Sequence, residues 1–202
     1  MSQYYDSNPL VASKEREISF QLFDRDIKLV ADTGVFSKNK VDEGSFVFLK
    51  TIIPLSLGER ILDLGCGYGT IGLSIALFQK DARVDLADVN TRALSLCNKN
   101  AQNLGVSDRV RVIESNIYEN IKGPYDSIVT NPPIRAGKKV TYAMFEGAKQ
   151  LLINGGSLYL VIRKNQGALS TQRYIASIFG NCELINRSKG YYIYQAKKNV
   201  TE

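Results

Sequence analysis

The sequence predicts an α/β protein. Its main body is a seven-stranded, mostly parallel sheet with helices on both faces and an antiparallel edge strand, preceded by a short N-terminal β-hairpin. Three observations predict this. From residue 59 onward, short apolar runs of strand length alternate with longer segments of helical periodicity. A glycine-rich turn, Gly65-Cys66-Gly67-Tyr68-Gly69, joins the first such run to the first of these helices. The 202 residues are 44% hydrophobic and 23% charged, enough to bury a layered core without a disulfide or metal staple.

Residues 1–57 read as an extension packed on a main domain of residues 58–202. In the extension Ile18, Phe20 and Leu22 alternate, Asp24-Arg25-Asp26 turns the chain, and Ile27, Leu29 and Ala31 alternate again, a hairpin signal. Asp42 caps a helix to about residue 53, in which Phe46, Leu49, Ile52 and Ile53 fall at helical spacing before Pro54 and Gly58. In the main domain the apolar runs at 61–64, 84–87, 110–114, 125–130 and 157–162 are strands. Segments 71–78, 91–103, 142–152 and 169–179 are helices, with Gly105 and Asn154-Gly155-Gly156 ending two of them. Residues 183–186 and 191–196, around Lys189-Gly190, form the closing antiparallel pair.

Composition removes several chemistries. Without histidine there is no His-ligated zinc, no Ser-His-Asp or Cys-His triad and no imidazole acid or base, and no metal site is expected. Cys66, Cys97 and Cys182 are odd in number and far apart, as buried thiols in a reducing compartment would be. The start, Met1-Ser2-Gln3-Tyr4-Tyr5-Asp6, lacks the pattern of a secretory leader, and no apolar run spans a bilayer, so a soluble cytoplasmic protein without membrane contact is expected. The net charge of +6 is uneven: Arg135 to Glu202 carry 11 Lys/Arg against 3 Asp/Glu, and residues 1–134 carry 15 against 17. A polyanionic partner accounts for this, as does a solubilising surface.

In open parallel sheets, ligands sit beyond the carboxyl ends of the strands, so the residues just after each strand carry the functional reading. The glycine turn is G-x-G-x-G rather than the G-x-G-x-x-G of dinucleotide sites, although an NAD-dependent oxidoreductase stays open as an alternative. Asp88, 23 residues after Gly65, either accepts hydrogen bonds from ribose hydroxyls or caps the helix beginning near Asn90. Asp63, before the turn, suits a cation better than a pyrophosphate. After the fourth strand comes Asn131-Pro132-Pro133-Ile134. Pro-Pro there is either a rigid stop or a catalytic turn. An exocyclic amine conjugated to a π system is a poor nucleophile; acceptors such as the Asn131 side-chain oxygen and the Pro132 carbonyl orient it and stabilise its developing positive charge.

Taken together, residues 61–69, Asp88 and this tetrapeptide resemble the Rossmann-like class I S-adenosylmethionine-dependent methyltransferases. The resemblance implies S-adenosylmethionine as cofactor. Gly65, Cys66, Gly67 and Gly69 would pass beneath its methionine and ribose, Asp63 would lie near the sulfonium and Asp88 would hold the ribose. Val89 and Ile117 would contact adenine, and Asn116 would face the adenine amino group where the family usually has Asp. Asn131-Pro132-Pro133-Ile134 resembles the [ND]-P-P-[YFW] motif of amino-group methyltransferases, with Asn131 also beside the cofactor. It departs from that motif at Ile134, leaving Phe36 or Tyr142 to supply an aromatic wall.

Thr33-Gly34-Val35-Phe36-Ser37, Val41-Asp42-Glu43-Gly44-Ser45, Asn131 to Lys138 and Lys164-Asn165-Gln166-Gly167-Ala168 are similar to the small-domain methyltransferases of the 16S ribosomal RNA guanine-N2 type, in a short, single-copy form. That resemblance implies methyl transfer to the exocyclic N2 of a guanine, with ribosomal RNA or the small ribosomal subunit as partner. Arg135, Lys138, Lys139, Arg163 and Lys164 would contact RNA phosphates. A protein-glutamine N5-methyltransferase and a non-catalytic RNA-binding module are the alternatives.

Overall fold

The computed structural model describes residues 12–33, 35 and 40–199; Gly34, Phe36 and Ser37, named above, lie outside the described residues. The chain opens with β1 (Arg16–Leu22), β2 (Arg25–Ala31) and α1 (Glu43–Ile52). It continues through β3 (Arg60–Leu64), α2 (Thr70–Phe78), β4 (Arg83–Asp88), α3 (Thr91–Asn103), β5 (Val110–Glu114) and β6 (Tyr125–Thr130). The last elements are α4 (Lys138–Leu151), β7 (Leu152–Arg163), α5 (Ala168–Phe179), β8 (Glu183–Ser188) and β9 (Tyr191–Lys197).

The alternating apolar residues of β1 and β2 pair antiparallel, Leu22 opposite Arg25, so the turn is Phe23-Asp24, tighter than the three residues expected. Asp42 caps α1 by accepting the Ser45 N–H at 2.9 Å. α4 begins at Lys138, four residues before the apolar periodicity does, because Gly137 (φ 98) redirects the chain straight into it. Its far end differs too. Leu152 to Gly156 join β7 instead of forming a loop, since the Gly155 N–H and the Gly156 carbonyl both bond Lys198, at 2.7 and 2.8 Å. Among the described residues no helix is long and apolar enough to cross a membrane.

The seven strands of the main sheet lie in the order β5-β4-β3-β6-β7-β9-β8. The first five are parallel; the closing pair occupies one margin, with antiparallel β9 between β7 and the outer strand β8. One core gathers the hairpin, α1, α2 and α3, and a second gathers α4 and α5 against the other face. From β3 the chain moves outward to β4 and β5, then returns to lay β6 on the opposite side of β3. That reversal opens a crevice at the carboxyl ends of β3 and β6.

Side-chain hydrogen bonds set the register of the strands that flank the crevice. Asp126 Oδ2 accepts the Glu59 and Arg60 N–H groups at 3.1 and 2.7 Å, and Thr130 Oγ1 donates to the Leu64 carbonyl at 2.7 Å. Asp63, fully buried on β3, accepts the Gly72 N–H of α2 at 2.7 Å. The approach is close enough that a Cβ on Gly72 would fall 2.2 Å from Leu86 Cδ2. Its other oxygen, Oδ1, has no hydrogen-bond partner among the described residues. Burial pushes the Asp63 carboxyl up to about 7, the Gly72 N–H pulls it down, and the Asp88 charge adds to the rise. The hairpin is tied in by Asn100, which is fully buried. Its Oδ1 accepts the Val30 N–H at 2.7 Å, and its Nδ2 donates to the Val30 and Tyr68 carbonyls, both at 3.0 Å.

Two outcomes are expected. Asn100→Ala strands buried backbone groups on β2 and beside the glycine turn, and destabilises the fold by about 2–3 kcal/mol, read as a lowered urea midpoint at unchanged m-value. For Asp63, both folded and unfolded chains are protonated below the ordinary value of 3.8. As pH rises toward about 7 the unfolded chain ionises while the folded one keeps its proton, so stability falls across that window and levels off above it. Asp63→Asn removes that contribution, and urea midpoints at several pH values should show a flatter profile than wild type.

Candidate active site

A cavity of about 740 Å³ occupies the crevice. Its floor is the glycine turn, which follows β3 and is folded back toward β4 by three of its backbone N–H groups. The Gly65 and Cys66 N–H groups donate to the Ala87 carbonyl at 2.8 and 3.0 Å, and the Gly67 N–H donates to Asp88 Oδ2 at 2.8 Å. Gly69 (φ 95) turns the chain into α2, and a Cβ there would lie 2.6 Å from Leu73 Cδ1. Beneath the turn the Cys97 thiol donates to the Gly67 carbonyl at 3.1 Å, with Cys66 Sγ 3.8 Å away. Burial pushes the Cys66 thiol well up, so it stays a neutral, packed group rather than a nucleophile.

Asp88, at the end of β4, brings a half-buried carboxylate to the cavity. Besides Gly67 it accepts the Asn90 N–H at 2.9 Å, while the Asn90 side chain itself caps α3. The Asp88 carboxylate lines the cavity, and the cap of α3 belongs to Asn90. Burial raises its pKa against the pull of the Asn90, Gly67 and Val89 N–H groups. Val89 and Ile117 line the same region, and Ile117 sits at φ 53, a strained backbone for a β-branched side chain. Ser115 holds that turn by donating to the Ile117 carbonyl at 3.1 Å. Asn116 also lines the cavity; its Nδ2 donates to Glu119 at 3.1 Å, which leaves the side-chain oxygen as an acceptor.

Opposite Asp88 stands Asn131, which follows β6. Its Nδ2 donates to Asp42 Oδ2 and to Ser45 Oγ, each at 3.0 Å. Next to it the Ile134 N–H donates to the Pro132 carbonyl at 2.9 Å across Pro133 (φ −76, ψ 76), an inverse γ-turn. One lone pair of that carbonyl is thus committed and the other remains. Pro133, Ile134, Arg135 and Arg163 complete this wall.

Of the residues singled out from the sequence, Gly65, Cys66, Gly67, Asp88, Val89, Asn116, Ile117, the Asn131–Ile134 turn, Arg135 and Arg163 line one cavity. Asp63 does not. It is fully buried beneath the turn, where it accepts the Gly72 N–H of α2. Gly69 is likewise buried behind the lining. Lys138, Lys139 and Lys164 are exposed one to four residues beyond Arg135 and Arg163. Tyr142 is no wall of the cavity: its ring stacks on Tyr174, centroids 3.6 Å apart. Among the described residues the aromatic rings that line it are Tyr68 and Tyr191, and Asp42, Ser45 and Lys40 join them. Tyr191 had a signal in the sequence. It opens the antiparallel closing strand opposite Arg163, which places it at the carboxyl edge of the parallel strands. Burial, followed by the charge of Asp42, raises the pKa of both tyrosines, Tyr68 to about 12.

Residues 26–195 match the methyltransferase small domain family. The protein YbxB of Bacillus subtilis, described as uncharacterized, is 42% identical over 197 residues, covering 96% of this chain and 98% of that one. Ribosomal RNA small subunit methyltransferase C of Vibrio parahaemolyticus is 32% identical over 170 residues, covering 82% of this chain, and the chain spans only 48% of that relative's length. Among solved structures, the T. thermophilus 16S rRNA N2 G1207 methyltransferase (RsmC), in complex with AdoMet and guanosine, superposes with a TM-score of 0.82 at 25% identity, over 95% of this chain and 52% of that one. A methyltransferase from Pyrococcus furiosus superposes with a TM-score of 0.66 at 21% identity, a likeness of fold. With that family match running from the second strand of the hairpin through the glycine turn into β9, the chain belongs to the methyltransferase small domain family.

Proposed function

We propose that the protein transfers a methyl group from S-adenosylmethionine to the exocyclic N2 amine of a guanine in small-subunit ribosomal RNA, in the cytoplasm. One observation carries this reading. Asp42 and Ser45 take both amide hydrogens of Asn131, so the group Asn131 offers in the cavity of Asp88 is an acceptor, suited to an amine N–H.

The residues present fit the cofactor. A Cβ on Gly67 would meet no protein atom within 4 Å, so the turn leaves open space beside its backbone. Asp88 retains acceptor capacity for a ribose hydroxyl, Val89 and Ile117 supply apolar contact for adenine, and Asn116 supplies an acceptor for its amino group. When bound, S-adenosylmethionine supplies an electrophilic methyl group on a sulfonium. A volume of about 740 Å³ also leaves room for a flat ring next to it.

On the other wall, Asn131 Oδ1 and the free lone pair of the Pro132 carbonyl orient the amine N–H groups. They also stabilise the positive charge that grows on nitrogen as it bonds carbon. The proton then leaves to water. Ile134 contacts the base through aliphatic carbon, and Tyr191, under the Arg163 guanidinium at 5.6 Å, supplies an aromatic face. Arg135 and Arg163 at the rim, with Lys138, Lys139 and Lys164 beyond, contact phosphates and set the register of the strand. The relative named for 16S rRNA guanine N2 supports the choice of base, and the basic C-terminal third supports a polyanion.

The test is transfer of labelled methyl from S-adenosylmethionine to small-subunit RNA, free and in the subunit. Asn131→Ala is expected to lower the rate at least ~100-fold with cofactor affinity nearly unchanged. Label arriving in protein glutamine instead of RNA, or a full rate in the variant, overturns the reading. Arg135→Gln should raise KM for RNA and flatten the salt dependence of binding by about one unit of log–log slope.

A further inference from the structure

The turn that begins α1, Val41-Asp42-Glu43-Gly44-Ser45, lies in the extension, outside the glycine turn and the Asn131 turn. Yet Asp42 and Ser45 line the cavity. We propose that Asp42 is the positioning residue for Asn131: its carboxylate, assisted by the Ser45 hydroxyl, decides which way round the Asn131 amide stands, and so whether the cavity grips an N–H donor or an acceptor. This inference rests on the reading of Asn131 given above.

The chemistry leaves one orientation. An ionised carboxylate only accepts hydrogen bonds, so the side of Asn131 that faces Asp42 Oδ2 at 3.0 Å is the NH2. The Ser45 hydroxyl sits at 3.0 Å from the same nitrogen and also lies 3.3 Å from Asp42 Oδ2. With its own proton turned to Asp42, that hydroxyl receives the second amide hydrogen. A flipped Asn131 would set its carbonyl oxygen against a carboxylate. The same contact polarises the amide: negative charge beside the NH2 shifts electron density to Oδ1 and strengthens it as an acceptor for a nitrogen gaining positive charge.

Asp42 is itself held in place. The oxygen that meets Asn131 also accepts the Ser45 N–H at 2.9 Å, so the cap of α1 fixes its direction. Gly44 leaves room for the arrangement: a Cβ there would lie 2.9 Å from Asp42 Oδ2 and 2.7 Å from the Tyr191 ring. The first turn of α1 therefore serves the far side of the sheet's crevice as well as its own helix, and the extension contributes to the reaction as well as to the core.

Three variants test this in the full chain, with kcat, KM, cofactor Kd and thermal midpoint measured for each. Asp42→Ser keeps a good helix cap but is one bond too short to reach Asn131. It is expected to lower kcat roughly 10- to 100-fold, with cofactor Kd changed less than about twofold. Asp42→Asn can place its oxygen where Oδ2 now lies, and rescues kcat to within about fivefold of wild type. Ser45→Ala leaves the backbone cap of α1 intact and still lowers kcat about 5- to 10-fold, so the inference is tested even if Asp42→Ser fails to fold. A kcat within about threefold of wild type in both Asp42→Ser and Ser45→Ala, or Asp42→Asn falling as far as Asp42→Ser, overturns the proposal. Asn131→Ala is read separately: if it loses activity while these variants keep theirs, the site stands and only the positioning role fails.

Discussion

Thr130 Oγ1 donates to the Leu64 carbonyl at 2.7 Å, and this bond joins the two strands from which the chain departs in opposite directions. β3 and β6 run parallel with Asp63 opposite Val129, which brings Gly65 and Asn131, two residues further on in each, to the same height on the sheet's edge. A shift of one residue in that pairing would turn every side chain of β6 to the other face and move Asn131 away from the glycine turn. The register is therefore secured from both ends, by Asp126 and Ser127 at the entry of β3 and by Thr130 at its exit. Nearly everything proposed for the cavity follows from these bonds, because they set two loops far apart in sequence across one space.

The crevice carries a good deal of buried polarity. Asp63 is sealed with one oxygen unpaired, Asp88 sits among backbone donors, and Asp42 stands between Asn131, Ser45 and two tyrosines. Burial raises the pKa of Asp63 and Asp88 because a charge there is poorly solvated. A cationic ligand in the cavity would lower that penalty for Asp88, which lines it. The strain at Ile117 is of the same kind: an unfavourable backbone is tolerated where it brings an apolar side chain to the cavity wall.

The strand–helix alternation made the sheet legible, since a parallel strand buried on both faces reads as a short apolar run and its crossover helix as a longer periodic one. The glycine turn and the Asn131 turn were legible for a related reason: each sits where a strand stops, and each contains residues that a plain turn does not need. What stayed hidden came from three-dimensional neighbours. Nothing in the pattern around Asp63 says that α2 seals it, because that depends on Gly72 letting α2 lie against β3 and β4. Asp42 was visible as a cap, and its second partner 89 residues away was not. Tyr142 looked available as an aromatic wall until Tyr174 of α5 was placed against it.

Ile134 and Tyr191 are best understood together. The turn after β6 has only the width of an inverse γ-turn and one short helical turn before Gly137 sends the chain into α4, so the fourth residue of the motif stands half-buried at the wall. An aliphatic group there fills space without the π-face that makes stacking on a base strong. Tyr191 enters from the opposite margin, next to β7, with Gly44 clearing a seat for its ring and Arg163 lying over it. In the proposed reading this moves the aromatic contact from the catalytic turn to the strand that also carries the basic rim. The residue that meets the base and the residue that meets its phosphate are then a directly opposed pair, Tyr191 and Arg163, so recognition of the base and of the backbone moves as one unit.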